Sequence, residues 1–125
     1  ALQVIFMDNI TKLNLLFDCY GSLLTENQRN VFKMHYFNDL SLGEIAEITG
    51  ITRQGVYDAL RRSQEMLINF EENLGMVKRY LKQEKEIKHI LEVLKEIEPG
   101  VDSAFKEKYE DICDCVYSLL QEGGE

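Results

Sequence analysis

Residues 41–62 read SLGEIAEITGITRQGVYDALRR, and the side chains there that can do chemistry are Thr52, Arg53, Gln54, Tyr57, Asp58, Arg61 and Arg62. Arginine and glutamine make bidentate hydrogen bonds to guanine and adenine edges in a DNA major groove. Arg53 and Gln54 therefore suit base reading. Arg61 and Arg62, further along the same helix, suit phosphate contacts. The hydroxyls of Ser41 and Thr52 can donate to phosphate near helix N-termini. This chemistry is that of binding, since no nucleophile motif accompanies these residues.

Such side chains read DNA only if one helix is held steeply across another by a short turn, the helix-turn-helix arrangement. Each position of that arrangement asks for a residue type. Ala46 is small where the second helix must cross the first. Gly50 tolerates the left-handed backbone of the turn. Ile51 plugs the space between the helices. Thr52 caps the second helix. Val56 supplies an aliphatic contact one turn in. With that inner face assigned, Thr52, Arg53, Gln54, Tyr57, Asp58 and Arg61 project outward.

Apolar residues recur at helical spacing along nearly the whole chain, so the pattern predicts six helices and no strand. The first spans about 8–23, with Ile10, Leu13, Leu16, Phe17, Tyr20, Leu23 and Leu24 on one face. Thr25 followed by Gln28 is a capping box opening a second helix, which buries Val31, Phe32 and either His35 or Tyr36. Ser41 and Glu44 repeat the box, and Gly50 stops that third helix. The fourth runs from Thr52 with Val56, Leu60, Leu67 and Phe70 inward, and Gly75 marks a break or a kink. A fifth helix over 76–97 carries Val77, Tyr80, Leu81, Ile87, Ile90, Leu91, Leu94 and Ile97, and the charged run at 82–86 interrupts its apolar stripe for over a turn, as a solvated linker helix or a seam shift would. Pro99-Gly100 ends it. The last, about 102–121, places Phe105, Tyr109, Ile112, Val116, Leu119 and Leu120 on one stripe. The expected architecture is all-α: a single helical domain over 1–125, with a helix-turn-helix part at 8–74 and a helical extension at 76–122.

The chain has 125 residues, 45% hydrophobic and 29% charged, an ordinary globular composition. Collagen, a disulfide scaffold and an apolar membrane span are excluded. Cys19, Cys113 and Cys115 are an odd set with one C-x-C pair, so they read as reduced structural thiols. Asp111 and Asp114 beside that pair read as a solvated face. No metal and no cofactor is expected, and no phosphate loop or nucleophile motif points to an enzyme. His35 reads as a core histidine and His89 as an exposed one. Ala1–Met7 lacks a basic start and a cleavage site, so it does not read as a secretory signal, and Gly123-Gly124-Glu125 reads as a frayed tail. Cytoplasmic is the expected compartment, with no membrane association.

The formal charge is -8, which argues against coating nucleic acid by bulk charge. That charge is uneven. Residues 26–64 hold five basic and five acidic side chains, while 99–125 carry a net -5. A neutral motif region permits a specific contact with few phosphates neutralised and a shallow salt dependence.

The stretch TENQRNVFKMHYFNDLSLGEIAEITGITRQGVYDALRRSQEML, residues 25–67, resembles the helix-turn-helix of bacterial sigma-factor region 4. With YGSLLTENQ before it and FEENLGMVKRYL after it, the chain is similar to the YlxM family over about residues 8–95. That family comprises small bacterial cytosolic proteins described as DNA-binding, whose genes lie beside those of the signal recognition particle GTPases. The resemblance implies an all-helical fold, an accessory or regulatory role in that targeting pathway, and a dimer. Carried over by position, it implies contacts from Ser41, Thr52, Arg53, Gln54, Tyr57 and Arg61.

Two functions follow as expectations. One is a regulator of the signal recognition particle pathway that binds DNA, or RNA, through the helix-turn-helix. The other is an adaptor of that pathway, binding protein or RNA, whose helix-turn-helix does not read DNA. The extension offers a surface for self-association, and a homodimer would present two recognition helices to paired half-sites.

Overall fold

The computed structural model describes residues 9–123, and these form α-helices and short 3₁₀ turns with no strand. The expectations for Ala1–Met7 and for the tail beyond Gly123 lie outside the described residues. In order, the helices are α1 (Asn9–Tyr20), α2 (Glu26–Tyr36), α3 (Leu42–Thr49), α4 (Arg53–Leu74), α5 (Met76–Ile97) and α6 (Lys106–Gly123). The chain divides into two compact units, one up to Val77 and the other from Lys78.

In the first unit the helix ends sit where local chemistry puts them. Thr25 Oγ1 accepts from the Gln28 N–H at 3.2 Å, and Gln28 Oε1 accepts from the Thr25 N–H at 3.1 Å, closing the box in front of α2. Both partners are three residues apart, so no distant contact is needed. The first helix is shorter than expected. It stops at Tyr20, and Gly21–Leu23 tighten into a 3₁₀ turn. A side chain at position 21 would meet the Phe17 ring at 3.1 Å, so the turn passes close under that ring. The tighter turn shifts the register, leaving Leu23 exposed while Leu24 is buried. Ile10, expected on the inner face, is also exposed.

The interior holds two aromatic and aliphatic groups. Phe17 stacks on Phe32 with ring centroids 4.6 Å apart and planes 4° from parallel, and Phe37 meets both rings edge-on. Val31, Ile45, Val56 and Leu60 form a buried cluster that draws one residue or more from each of α2, α3 and α4. Of the α2 alternatives, His35 and Tyr36 are both half-buried, and each uses its polar tip. The His35 Nδ1–H donates to the Leu40 carbonyl at 2.9 Å, which requires the Nδ1-protonated or charged ring. The Gln64 amide donates to the Tyr36 hydroxyl.

At Gly75 the α4 backbone enters the left-handed region (φ 62°), so the glycine is a break and α5 starts at the next residue. Tyr20 and Glu71 fasten this break. The Tyr20 hydroxyl donates to Glu71 Oε1 at 2.7 Å and accepts from the Met76 N–H at 2.9 Å, while the Val77 N–H donates to the same carboxylate oxygen at 2.9 Å. Two of the orphan donors that begin α5 are thus satisfied by side chains from α1 and α4. Burial, reinforced by the bond to Glu71, pushes the Tyr20 hydroxyl up to about 12.

The second unit is an antiparallel helical hairpin. Tyr109 of α6 donates its hydroxyl to the Leu94 carbonyl of α5, and a small groove is shared by Tyr80 and Ile87 of α5 with Leu119 and Leu120 of α6. Helix α5 runs unbroken through the charged stretch at 82–86, and Lys88 pairs with Glu84 at 2.9 Å across one turn. Asp102 accepts from the Ala104 N–H at 3.0 Å ahead of α6. The single apolar stripe expected on α6 is split. Tyr109, Val116 and Leu120 turn inward to buried or half-buried places, whereas Phe105, Ile112 and Leu119 are exposed. Ile90 and Ile97 of α5, expected on the inner seam, are exposed too. Residues 105, 112 and 119 repeat every seven, a period that drifts around a straight α-helix relative to its inward face.

Candidate nucleic-acid interface

The candidate interface comprises α3, the turn and the first turns of α4. Ser41 Oγ accepts from the Glu44 N–H at 3.1 Å, and Glu44 Oε1 accepts from the Ser41 N–H at 3.2 Å, so α3 begins on a closed capping box. Gly50 adopts φ 75°, the left-handed backbone that only glycine takes without strain. Thr49 turns its hydroxyl back to the Ile45 carbonyl at 2.7 Å, holding the last turn of α3. Thr52 Oγ1 then accepts from the Gly55 N–H at 3.0 Å and caps α4.

Packing sets the orientation of α4. Val56 and Leu60 are buried against Ile45 of α3 and Val31 of α2, with Ala46, Ile51 and Ala59 packed around them. Gly55 is required by this geometry. A Cβ there would lie 2.5 Å from Ile51 Cγ2 and 3.1 Å from Thr52 Oγ1, so the turn can fold over α4 only because position 55 has no side chain. Sequence reasoning assigned Ile51 and Thr52 but missed Gly55. Its signal was a glycine inside a helix, three residues after the cap.

With the inner face so occupied, Thr52, Arg53, Gln54, Tyr57, Arg61 and Arg62 are exposed and Asp58 is half-exposed. Arg53, Tyr57 and Arg61 follow one another at four-residue spacing and form one stripe. Gln54, Asp58 and Arg62 form the adjacent stripe. The structure therefore gathers six of the seven sequence-derived residues on the outer side of α4. Ser41 stands apart, at the end of α3 away from the turn. The oxygens of Ser41 and Thr52 are committed as acceptors to their caps, which leaves each hydroxyl proton available to a phosphate.

Two of the outward side chains are already engaged. Gln54 donates to Asp58 Oδ1 at 3.2 Å, and Arg61 lies 3.7 Å from Glu65 in an exposed pair. Such pairs contribute about 0–1 kcal/mol and open readily. Both partners sit four residues on, a spacing visible in the sequence. Among the described residues, no carboxylate pairs with Arg53 or Arg62. The N–H groups of Arg53 and Gln54 begin α4 without an intrahelical acceptor, and they add a positive helix terminus beside the Arg53 guanidinium.

No group of three His, Cys, Asp or Glu side chains among the described residues could hold a metal ion. None of the described helices is long and apolar enough to cross a membrane.

Comparison with known proteins agrees with this geometry. Residues 7–110 match the model of the UPF0122 family, described as "Putative helix-turn-helix protein, YlxM / p13 like". The chain is 51% identical over 87 residues to a UPF0122 protein of Caldanaerobacter subterraneus subsp. tengcongensis, covering 70% of this chain and 74% of that one. It is 46% identical over 94 residues to a UPF0122 protein of Desulforamulus reducens, covering 75% and 80%. It is 40% identical over 114 residues to one of Clostridium kluyveri, covering 91% and 96%. A capped helix-turn-helix in an all-helical chain, and a family match over most of its length, lead to one conclusion: this chain belongs to the UPF0122 family of YlxM/p13-like helix-turn-helix proteins.

Proposed function

We propose that the protein binds double-stranded DNA through α3 and α4 and acts as a regulator in the signal recognition particle pathway. One observation carries the DNA reading. The N-terminus of α4 is capped and exposed, with Thr52, Arg53, Gln54 and Tyr57 facing away from the core that Val56 and Leu60 join. In this reading α4 enters the major groove. Arg53 and Gln54 contact base edges, Tyr57 packs beside them, and Arg61, Arg62 and the hydroxyls of Ser41 and Thr52 hold phosphates. The pathway is supported by the YlxM resemblance alone. A homodimer supplies the second recognition helix that a paired site needs.

The test is binding to a pool of genomic DNA fragments across a salt series, with signal recognition particle RNA as a parallel probe. Arg53→Ala should weaken binding to a selected site by about 1–3 kcal/mol, and Arg62→Ala should lower the salt slope by about one. Unchanged affinity in Arg53→Ala removes α4 from the reading role.

A second reading has its own observation. Gln54 and Arg61 are each held by a carboxylate of the same helix, and a groove-reading surface does not need those acids. An adaptor that binds a protein or RNA of the same pathway through this face fits that feature. Retention of the RNA with no DNA retained at about 50 mM salt favours it over the first.

A further inference from the structure

We propose that a groove between α1, α2 and α4 binds a small amphipathic carboxylate, its apolar body lying against α1 and α4 and its head held by Lys12 and Tyr36. This inference concerns the first unit alone and does not depend on what the outer face of α4 binds.

The first observation is the groove itself. It encloses about 360 Å³, at the small end of the range for small-molecule sites. Ile10, Leu13 and Leu16 of α1 form one wall, and Ile68 of α4 contributes to the other. Ile10 and Ile68 are 61% and 40% exposed. Apolar surface gathered in a concavity gains by taking up an apolar occupant. The α1 wall runs only about 9 Å from Ile10 to Leu16, so that occupant is short.

The second observation is the polarity of the lining. The polar side chains among the described residues there are Lys12, Tyr36 and Gln64, with no carboxylate. Lys12 is half-buried, and among the described residues no Asp or Glu pairs with it. An ammonium offers three donors and no acceptor. The Tyr36 hydroxyl accepts from the Gln64 amide, and its own proton meets no acceptor among the described residues. Burial pushes that hydroxyl above its ordinary value, so the proton stays in place. The ring is held by Phe32 at 4.6 Å and His35 at 4.8 Å between centroids, which fixes where the hydroxyl points. A cation and a fixed O–H donor thus line one groove, and neither has an acceptor there.

Together these observations select the occupant. A neutral apolar molecule would displace water and leave two donors unsatisfied. An amine would meet the like charge of Lys12. A carboxylate has two oxygens and can accept charge-assisted bonds from both donors at once. Its tail then covers the apolar walls. Gln64 and Ile68 continue the flank of α4 that begins with Arg53 and Tyr57, so the occupant rests on the helix that carries the candidate interface.

The experiment titrates the full chain with octanoate, octanol and octylamine and follows the backbone amide resonances. Octanoate should bind saturably with a Kd of about 1 mM or tighter. The amides of Leu13, Gln64 and Ile68 should shift most. Octanol and octylamine share the tail and should bind at least about tenfold more weakly. Equal binding of all three, shifts centred elsewhere, or no saturation by about 10 mM overturns the proposal. These titrations need no variant to fold. Lys12→Met keeps an apolar stem and removes the charge, so it should weaken octanoate about tenfold and leave octanol unchanged. Unchanged octanoate affinity overturns the role given to Lys12. Ile68→Trp fills the groove from an exposed position and should abolish octanoate binding with the amide spectrum still dispersed. Undiminished binding in that variant places the ligand elsewhere and overturns the site.

Discussion

Replacing Gly55 by alanine places a methyl group where Ile51 already stands. The new Cβ would lie 2.5 Å from Ile51 Cγ2, about 0.9 Å short of ordinary carbon contact. Cγ2 hangs from the branched β-carbon and cannot move aside without turning the whole side chain, and Ile51 is packed against the Val31, Ile45, Val56 and Leu60 cluster. Overpacking of this kind costs about 1–3 kcal/mol. Alanine's better helix propensity returns up to about 1 kcal/mol, and less in a first turn. The net expectation is a loss of about 1–2 kcal/mol. Native-state hydrogen exchange at the Val56 and Leu60 amides reads this locally. A double-mutant cycle makes the cause explicit, because Ile51→Ala removes Cγ2. In that background Gly55→Ala should be neutral or stabilising, giving a coupling of about 1.5–2.5 kcal/mol. Equal losses in both backgrounds would refute the steric account of the turn.

Three further outcomes follow from the same geometry. Gly50 has φ 75°, and a Cβ added there would meet nothing within 4 Å, so Gly50→Ala should cost about 1–2 kcal/mol through backbone strain alone, and Gly50→Asn clearly less, by the same exchange measurement. Tyr20→Phe should cost about 2–3 kcal/mol in denaturant unfolding, because it removes two hydrogen bonds and strands the Met76 N–H. The Tyr20 hydroxyl is raised to about 12 and an unfolded tyrosine ionises near 10, so the folded chain keeps a proton that the unfolded chain loses in between. Its contribution is full below pH 10 and is lost as pH rises toward 12. Midpoints at pH 8 and 11 should therefore converge between wild type and Tyr20→Phe, and a constant gap contradicts the assignment. Asp58→Ala frees Gln54 and removes a negative charge from the outer face of α4, so DNA affinity by fluorescence anisotropy should rise about threefold to fivefold at low salt. Weaker binding would mean that Asp58 positions Gln54 for reading.

Much of the fold was legible because its decisive interactions are short-range. Thr25 with Gln28 and Ser41 with Glu44 close their boxes within one turn, and Gly50 needs only its own backbone freedom. The outer face of α4 was legible for a related reason. Once Val56 and Leu60 are assigned inward, the 3.6-residue period leaves no choice for Arg53, Gln54 and Tyr57. Less legible were the pairings of Gln54 with Asp58 and Arg61 with Glu65. Their spacing was visible, but spacing does not say which side chains prefer each other to solvent. The stripe on α6 misled because positions 105, 109, 112, 116 and 119 satisfy helical spacing jointly, and only the placement of α5 decides which of them it covers.

The sequence by itself determined the helices, their caps, the turn and the residues that line the outer side of α4, since these depend on neighbours within about four positions. Only the tertiary structure decided the rest. It brought Tyr20 to Glu71 across 51 positions to fasten the Gly75 break, set Ile51 against position 55 so that only glycine fits there, and decided that Val116 of α6 is buried while Ile112 is exposed. The physical reason is that burial and hydrogen-bond partners belong to surfaces that meet in space, and periodicity specifies a helix's faces without naming what each will meet.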